Sequence, residues 1–152
     1  MAPISKSARA LSVALMAFSL AGCATTGGGY FTAASSTDAA NLNPYAANAV
    51  AGDMVAQLAE HVGPGTGTIA LKTDDSALSA ALEEQLRGWG YAVDPSATGE
   101  GAIPLAYTVS AFDGQVLTRI STPSVELART YTMTELGASP SSPLSVLRRA
   151  SS

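Results

Sequence analysis

A small single-domain α+β fold, with one or two helices packed on a mostly antiparallel sheet, is predicted by three features of this chain. The elements read in the order helix, strand, helix, strand, then three strands. Both helical segments repeat apolar residues at intervals of three and four, and the last third alternates around an Asp-Gly turn.

The first helix is predicted over Asn43 to Val62. Asn43 is suited to the N-cap, and Pro44 to the first helical position, where its missing N–H costs nothing. Val50, Met54 and Leu58, flanked by Ala47 and Ala51, form a narrow apolar stripe that Gly52 weakens and Gly63-Pro64-Gly65 stops. His61, the single histidine, falls in the last turn, where the helix dipole favours a cation. It reads as structural, because no second histidine shares a metal with it.

Thr68-Ile69-Ala70-Leu71-Lys72 is the first strand, and Thr73-Asp74-Asp75 then caps a second helix from Ser76 to Arg87. Its apolar face is Leu78, Leu82, Leu86 and Trp89, with Ala77 and Ala81 alongside, while Glu83, Glu84 and Arg87 take the wet side. The Asp74-Asp75 pair sits directly before this periodic run, which favours capping over a catalytic carboxylate pair. Gly88 and Gly90 suit the helix end, and Tyr91-Ala92-Val93 resumes an extended chain.

After a loop from Pro95 to Gly101, an antiparallel meander is expected. Leu105, Tyr107, Val109 and Ala111 alternate with polar or small neighbours, and Asp113-Gly114 is a two-residue hairpin signal. The return strand, Gln115 to Ser121, places Val116, Thr118 and Ile120 on one side and Leu117 and Arg119 on the other. Thr122-Pro123 turns the chain into a long strand from Val125 to Glu135. Whether the Ile69 and Val93 strands join this sheet is open at this level; a right-handed crossover through the second helix is the natural route.

The N-terminus carries a different message. Lys6 and Arg9 precede a ten-residue apolar run, Leu11 to Leu20, too short to span a bilayer. Leu20-Ala21-Gly22-Cys23 then reads as a lipoprotein signal, cleaved between Gly22 and Cys23. Its single cysteine would take a diacylglyceryl thioether and, on the freed amine, a further acyl chain such as palmitate. Ala24 is not the aspartate that bacterial sorting reads as inner-membrane retention, so the expected location is the outer membrane, periplasmic face, held by the lipid anchor.

The chain therefore divides into a cleaved signal peptide (1–22), a lipidated tether (23–42), a periplasmic α+β domain (43–136) and a Ser/Pro-rich tail (137–152) expected to be loose unless a partner orders it. Ala, Thr, Ser and Gly dominate the tether, a composition that cannot bury enough apolar surface to order itself. Tyr30-Phe31 interrupts it, either as a chance pair or as a short anchor that docks on a partner.

Composition and motifs narrow the function. The mature part holds six basic residues against all twelve acidic ones, a net charge of −6, which argues against nucleic acid as a direct ligand. Arg148-Arg149 is the sole basic pair and reads as solvated. With Cys23 acylated no thiol remains for a disulfide or metal site. Gly63 to Gly67 is glycine-rich but lacks the lysine of a phosphate loop. No base stands poised beside a serine, and carboxylates are scattered, so no enzyme, metal or cofactor is expected beyond the lipid on Cys23.

Taken together, the lipobox, the mature length, the helix ending Leu86-Arg87-Gly88-Trp89-Gly90-Tyr91-Ala92-Val93, and the later Leu117-Thr118-Arg119 and Leu127-Ala128-Arg129-Thr130-Tyr131 resemble the TrbH family of conjugal-transfer lipoproteins. The resemblance implies a structural subunit in the outer-membrane part of a type IV secretion system that moves plasmid DNA, beside other core proteins in a multi-subunit ring. The lipid-attachment residue Cys23 is the functional position it transfers. The alternative class is a periplasmic binding module or assembly chaperone for another envelope complex.

Overall fold

The computed structural model describes residues 35–150. Gly22, Cys23, Tyr30 and Phe31, with the signal and most of the tether, lie outside them. Ten elements follow in order: β1 (Thr37–Asp38), α1 (Pro44–Val62), β2 (Thr68–Leu71), α2 (Ala77–Gly88), β3 (Ala92–Val93), β4 (Ala102–Phe112), β5 (Gln115–Ser121), β6 (Val125–Thr134), β7 (Gly137–Pro140) and β8 (Ser145–Arg148).

The expected capping chemistry starts α1: Asn43 Oδ1 accepts the Ala46 N–H at 2.9 Å, and Pro44 occupies the first turn. Its buried face is broader than the stripe read from sequence, because Ala46, Val55 and Ala59 join Ala47, Val50, Ala51, Met54 and Leu58. Gly63, at φ +86°, ends the helix and donates its N–H to the Ala59 carbonyl.

In α2 the cap is Ser76 rather than the preceding Thr-Asp-Asp run: its Oγ accepts the Ser79 N–H at 3.1 Å. Leu78, Ala81, Leu82 and Leu86 are buried as the spacing requires, but Trp89 is 42% exposed. The helix stops at Gly88, so the period that would aim Trp89 inward no longer applies, and Tyr91 fills the interior position instead.

All strands join one sheet, ordered β3-β2-β4-β5-β6-β7, with β1 on β4 and β8 on β6. The Ile69 and Val93 strands do join it: β2 lies parallel between β3 and β4 (Ile69 opposite both Val93 and Ile103), and from β4 onward the ladder is antiparallel. Asp113 (φ +48°) and Gly114 (φ +74°) make the tight hairpin that places Phe112 opposite Gln115. Rows such as Tyr107–Ile120–Leu127 and Ala111–Val116–Tyr131 run across the sheet. Their large side chains fill one core with the buried faces of α1 and α2, while Thr108, Ser110 and Arg119 alternate outward and are exposed.

Two expectations from composition are corrected. Residues 37–38, assigned to the tether, form β1 parallel to Thr108–Val109, and Leu42 is in the core. The tail, expected to be loose, supplies β7 and β8, which pair with opposite halves of β6. Strand pairing draws on backbone groups, which serine-rich composition leaves intact. Serine hydroxyls add to it where Ser142 Oγ accepts the Thr130 N–H at 3.0 Å. Pro140 ends β7, a position that tolerates its missing donor.

Candidate functional site

Two polar clusters fasten the elements together. In the first, Asp74 precedes α2 and gathers three donors: the Asp38 N–H at 2.6 Å, the Ser76 N–H at 3.1 Å and the Tyr107 hydroxyl. Ser76 Oγ is a further 3.1 Å neighbour of that hydroxyl. Asp38 in turn accepts the N–H groups of Ala40 and Leu42 at 3.1 and 2.9 Å, and Ser36 Oγ accepts the Tyr107 N–H at 3.1 Å. The entry segment is thus bolted to β4 and to the start of α2. Burial alone would raise the Asp74 carboxyl, but hydrogen bonds from Ser76, Tyr107 and Asp38 outweigh it and hold its pKa below the ordinary value. Burial, and then the bond to Asp74, push the Tyr107 phenol up to about 12.

In the second cluster, Asp53 of α1 accepts from Arg129 Nη1 at 3.0 Å through both carboxylate oxygens and from the Tyr131 hydroxyl at 2.6 Å. Arg129 Nε donates to the Ser142 carbonyl at 3.0 Å, so one guanidinium joins α1, β6 and the β7–β8 connection. Tyr131 is fully buried; its desolvation, followed by the bond to Asp53, drives its pKa far above the ordinary phenol range. Both clusters are internally satisfied and serve to hold elements in place. Among the described residues, no group of three or more His, Cys, Asp or Glu is placed to hold a metal ion.

The sequence-predicted residues distribute as follows. Asp74 is a junction and Asp75 an exposed left-handed turn residue at φ +59°, so the pair is structural, though it does not supply the cap itself. His61 does lie in the last turn of α1, where its Nδ1 meets Arg148 Nη2 at 2.7 Å. In the Gly63–Gly67 loop, Thr66 Oγ1 donates to the Val62 and Gly63 carbonyls, each at 2.9 Å, and the Tyr91 hydroxyl donates to the Gly63 carbonyl at 2.5 Å. Sequence reasoning missed the Asp53–Arg129–Tyr131 cluster, whose members lie 76 and 78 residues apart. The available signal was Arg129 itself, an ionic residue in inward register between Leu127 and Tyr131.

What the domain offers outward is apolar surface at the turning end of the sheet. Tyr45 is 70% exposed, Phe112 57% and Leu136 90%, and Met133, shortly before Leu136 in the chain, is 36% exposed. The β4–β5 and β6–β7 hairpins both turn at this end, and Gly137 lies against the first turn of α1, where a Cβ would stand 3.4 Å from the Tyr45 carbonyl oxygen. Among the described residues, no helix is long and apolar enough to cross a membrane.

Comparison with known proteins agrees in extent with the described domain. The profile of the family described as "Conjugal transfer protein TrbH" matches residues 25–150. A curated relative, the "Probable conjugal transfer protein TrbH" of Sinorhizobium fredii (strain NBRC 101917 / NGR234), is 46% identical over 137 residues, covering 86% of this chain and 90% of its own. No solved structure matches. With both the profile and this relative spanning the α+β domain, the chain belongs to the TrbH family of conjugal transfer proteins.

Proposed function

We propose that this chain is an outer-membrane lipoprotein that works as a structural subunit of a conjugative type IV secretion system, the apparatus that carries plasmid DNA between cells. Membership of the TrbH family is the observation that carries the reading. The anchor rests on the sequence: a basic n-region, a short apolar run and Leu20-Ala21-Gly22-Cys23. Each buried acyl methylene contributes about 0.8 kcal/mol, so two or three chains on Cys23 suffice for stable attachment, where one alone would be reversible.

The fold supports action by contact. Asp53, Asp74, Tyr107 and Tyr131 are engaged in joining helices to strands, while exposed Tyr45, Phe112 and Leu136 are available to neighbours. Eleven residues lie between Cys23 and Ser35, a span of at most about 40 Å even fully extended. The domain therefore stays close to the membrane, and Tyr30 and Phe31, within that span, are assigned to contact with a core protein of the apparatus.

The test is co-purification from donor cells. A tagged chain extracted in mild detergent should bring down other transfer proteins, and replacing Tyr30 and Phe31 with alanine should weaken that recovery while leaving the domain folded. A monomer recovered without companions would overturn the subunit reading.

A further inference from the structure

The outer strands of this sheet are finished differently on its two sides. On β1 the Asp38 N–H, turned away from β4, is taken by Asp74 Oδ2 at 2.6 Å. On β3 the Val93 carbonyl, turned away from β2, accepts from Arg87 Nη2 at 3.2 Å. Side chains thus close the main-chain edge on that side, a usual safeguard against unwanted strand pairing. Across the sheet, β7 is covered at Gly137 by the first turn of α1 and stops at Pro140, which has no donor to offer. β8 has no such cover among the described residues.

All residues of β8, Ser145 to Arg148, are exposed, and they include Val146 at 39% and Leu147 at 48%. The Arg149 N–H donates to the Ser124 carbonyl at 2.9 Å, which sets the phase of the ladder with β6. Hydrogen bonding alternates along an antiparallel strand, so Ser145 and Leu147 turn their main-chain groups to β6, while those of Val146 and Arg148 point outward. This edge is complementary to itself. About a two-fold axis through Leu147, Val146 faces Arg148 of a second copy and Arg148 faces its Val146, so both outward sets of N–H and C=O groups are satisfied. Leu147 meets its own counterpart at a close, non-hydrogen-bonded position, on the sheet face that carries Glu126 rather than the helices. Arg148 is held back toward its own α1 by the 2.7 Å contact with His61 Nδ1, which draws the two guanidinium groups off the seam.

We propose that β8 is a self-association edge, where two copies of this chain join antiparallel about Leu147 and their sheets run on as one. The contact is small, so it needs a high local concentration, which copies held on one membrane surface have. In that respect the inference rests on the lipid-anchor reading.

The experiment is disulfide trapping of the full chain in donor cells under a mild thiol oxidant. Residues facing one another at a non-hydrogen-bonded position stand about 4.5 Å apart at Cα, within disulfide reach. Leu147→Cys should therefore give a cross-linked dimer, while Thr108→Cys, exposed on β4 inside the sheet, should not. Adding Val146→Pro to Leu147→Cys removes an outward N–H that the β6 ladder does not use, and should abolish the dimer with circular dichroism unchanged. Four results would overturn the pairing: no dimer from Leu147→Cys, an equal dimer from Thr108→Cys or from the parent chain with Cys23 alone, a dimer that survives Val146→Pro, or a stronger one from Val146→Cys, which marks another register. Membrane fractionation of the same cells reads the anchor separately, so a membrane-bound Leu147→Cys chain that does not cross-link sinks the pairing and leaves the anchor standing.

Discussion

Replacing Asp74 with alanine removes one carboxylate that three donors share. The Asp38 and Ser76 N–H groups lose their 2.6 and 3.1 Å acceptors, while the Tyr107 hydroxyl keeps Ser76 Oγ at 3.1 Å. Hydrogen bonds to a charged group are worth about 1.5–3 kcal/mol each, but bonds to one acceptor do not add, and water reaches this half-buried site. We therefore expect a loss of about 2 kcal/mol, or a melting temperature lower by about 8 °C for a domain of this size. The pH dependence gives a second handle. Because the folded-state pKa of Asp74 is depressed, its contribution is present above the unfolded value of 3.8 and is lost as pH falls through the lower folded value. Urea titrations of parent and variant at pH 7 and again near pH 2.5 should show the gap shrinking in acid. A deficit under about 0.5 kcal/mol at pH 7, or a gap of the same size at both pH values, would refute the junction role argued for this residue.

Two further substitutions probe the interior. Tyr131→Phe deletes the 2.6 Å bond to Asp53 and should cost about 1.5–3 kcal/mol in chemical denaturation, with the fold retained because the ring still fills its site. Thr118→Val should go the other way: Thr118 Oγ1 is buried without a hydrogen-bond partner among the described residues, so a methyl in its place should stabilise by about 1 kcal/mol, read as a higher urea midpoint.

The helices and the meander were legible because their determinants are local. Asn43-Pro44, the Leu78–Leu82–Leu86 repeat and Asp113-Gly114 each state their conformation within a few residues. β1 and β8 were not, since a two-residue strand and an exposed edge exist by pairing with β4 and β6, and the partner's position is not written in the segment itself. Trp89 departs from its expected inward position for the opposite reason: the helix ends at Gly88, so the helical period does not carry past it. The polar clusters lie between these cases. Asp74 could be placed before a helix from its neighbours, but that Tyr107 and Asp38 would converge on it required the sheet order. For Asp53, the sole hint was an arginine in an inward register 76 residues away. The resemblance to the TrbH family was available early because it rests on short runs of residue types, such as Leu127-Ala128-Arg129-Thr130-Tyr131, that do not depend on knowing the fold.

The claim that this domain serves by contact from a lipid anchor is tested most directly by plasmid transfer from donor cells whose one copy of the gene encodes Cys23→Ser, at matched protein level. The account predicts that transfer falls toward that of donors lacking the protein, with the variant released from the membrane fraction. Transfer at the parental frequency by a variant found free of the membrane would contradict it.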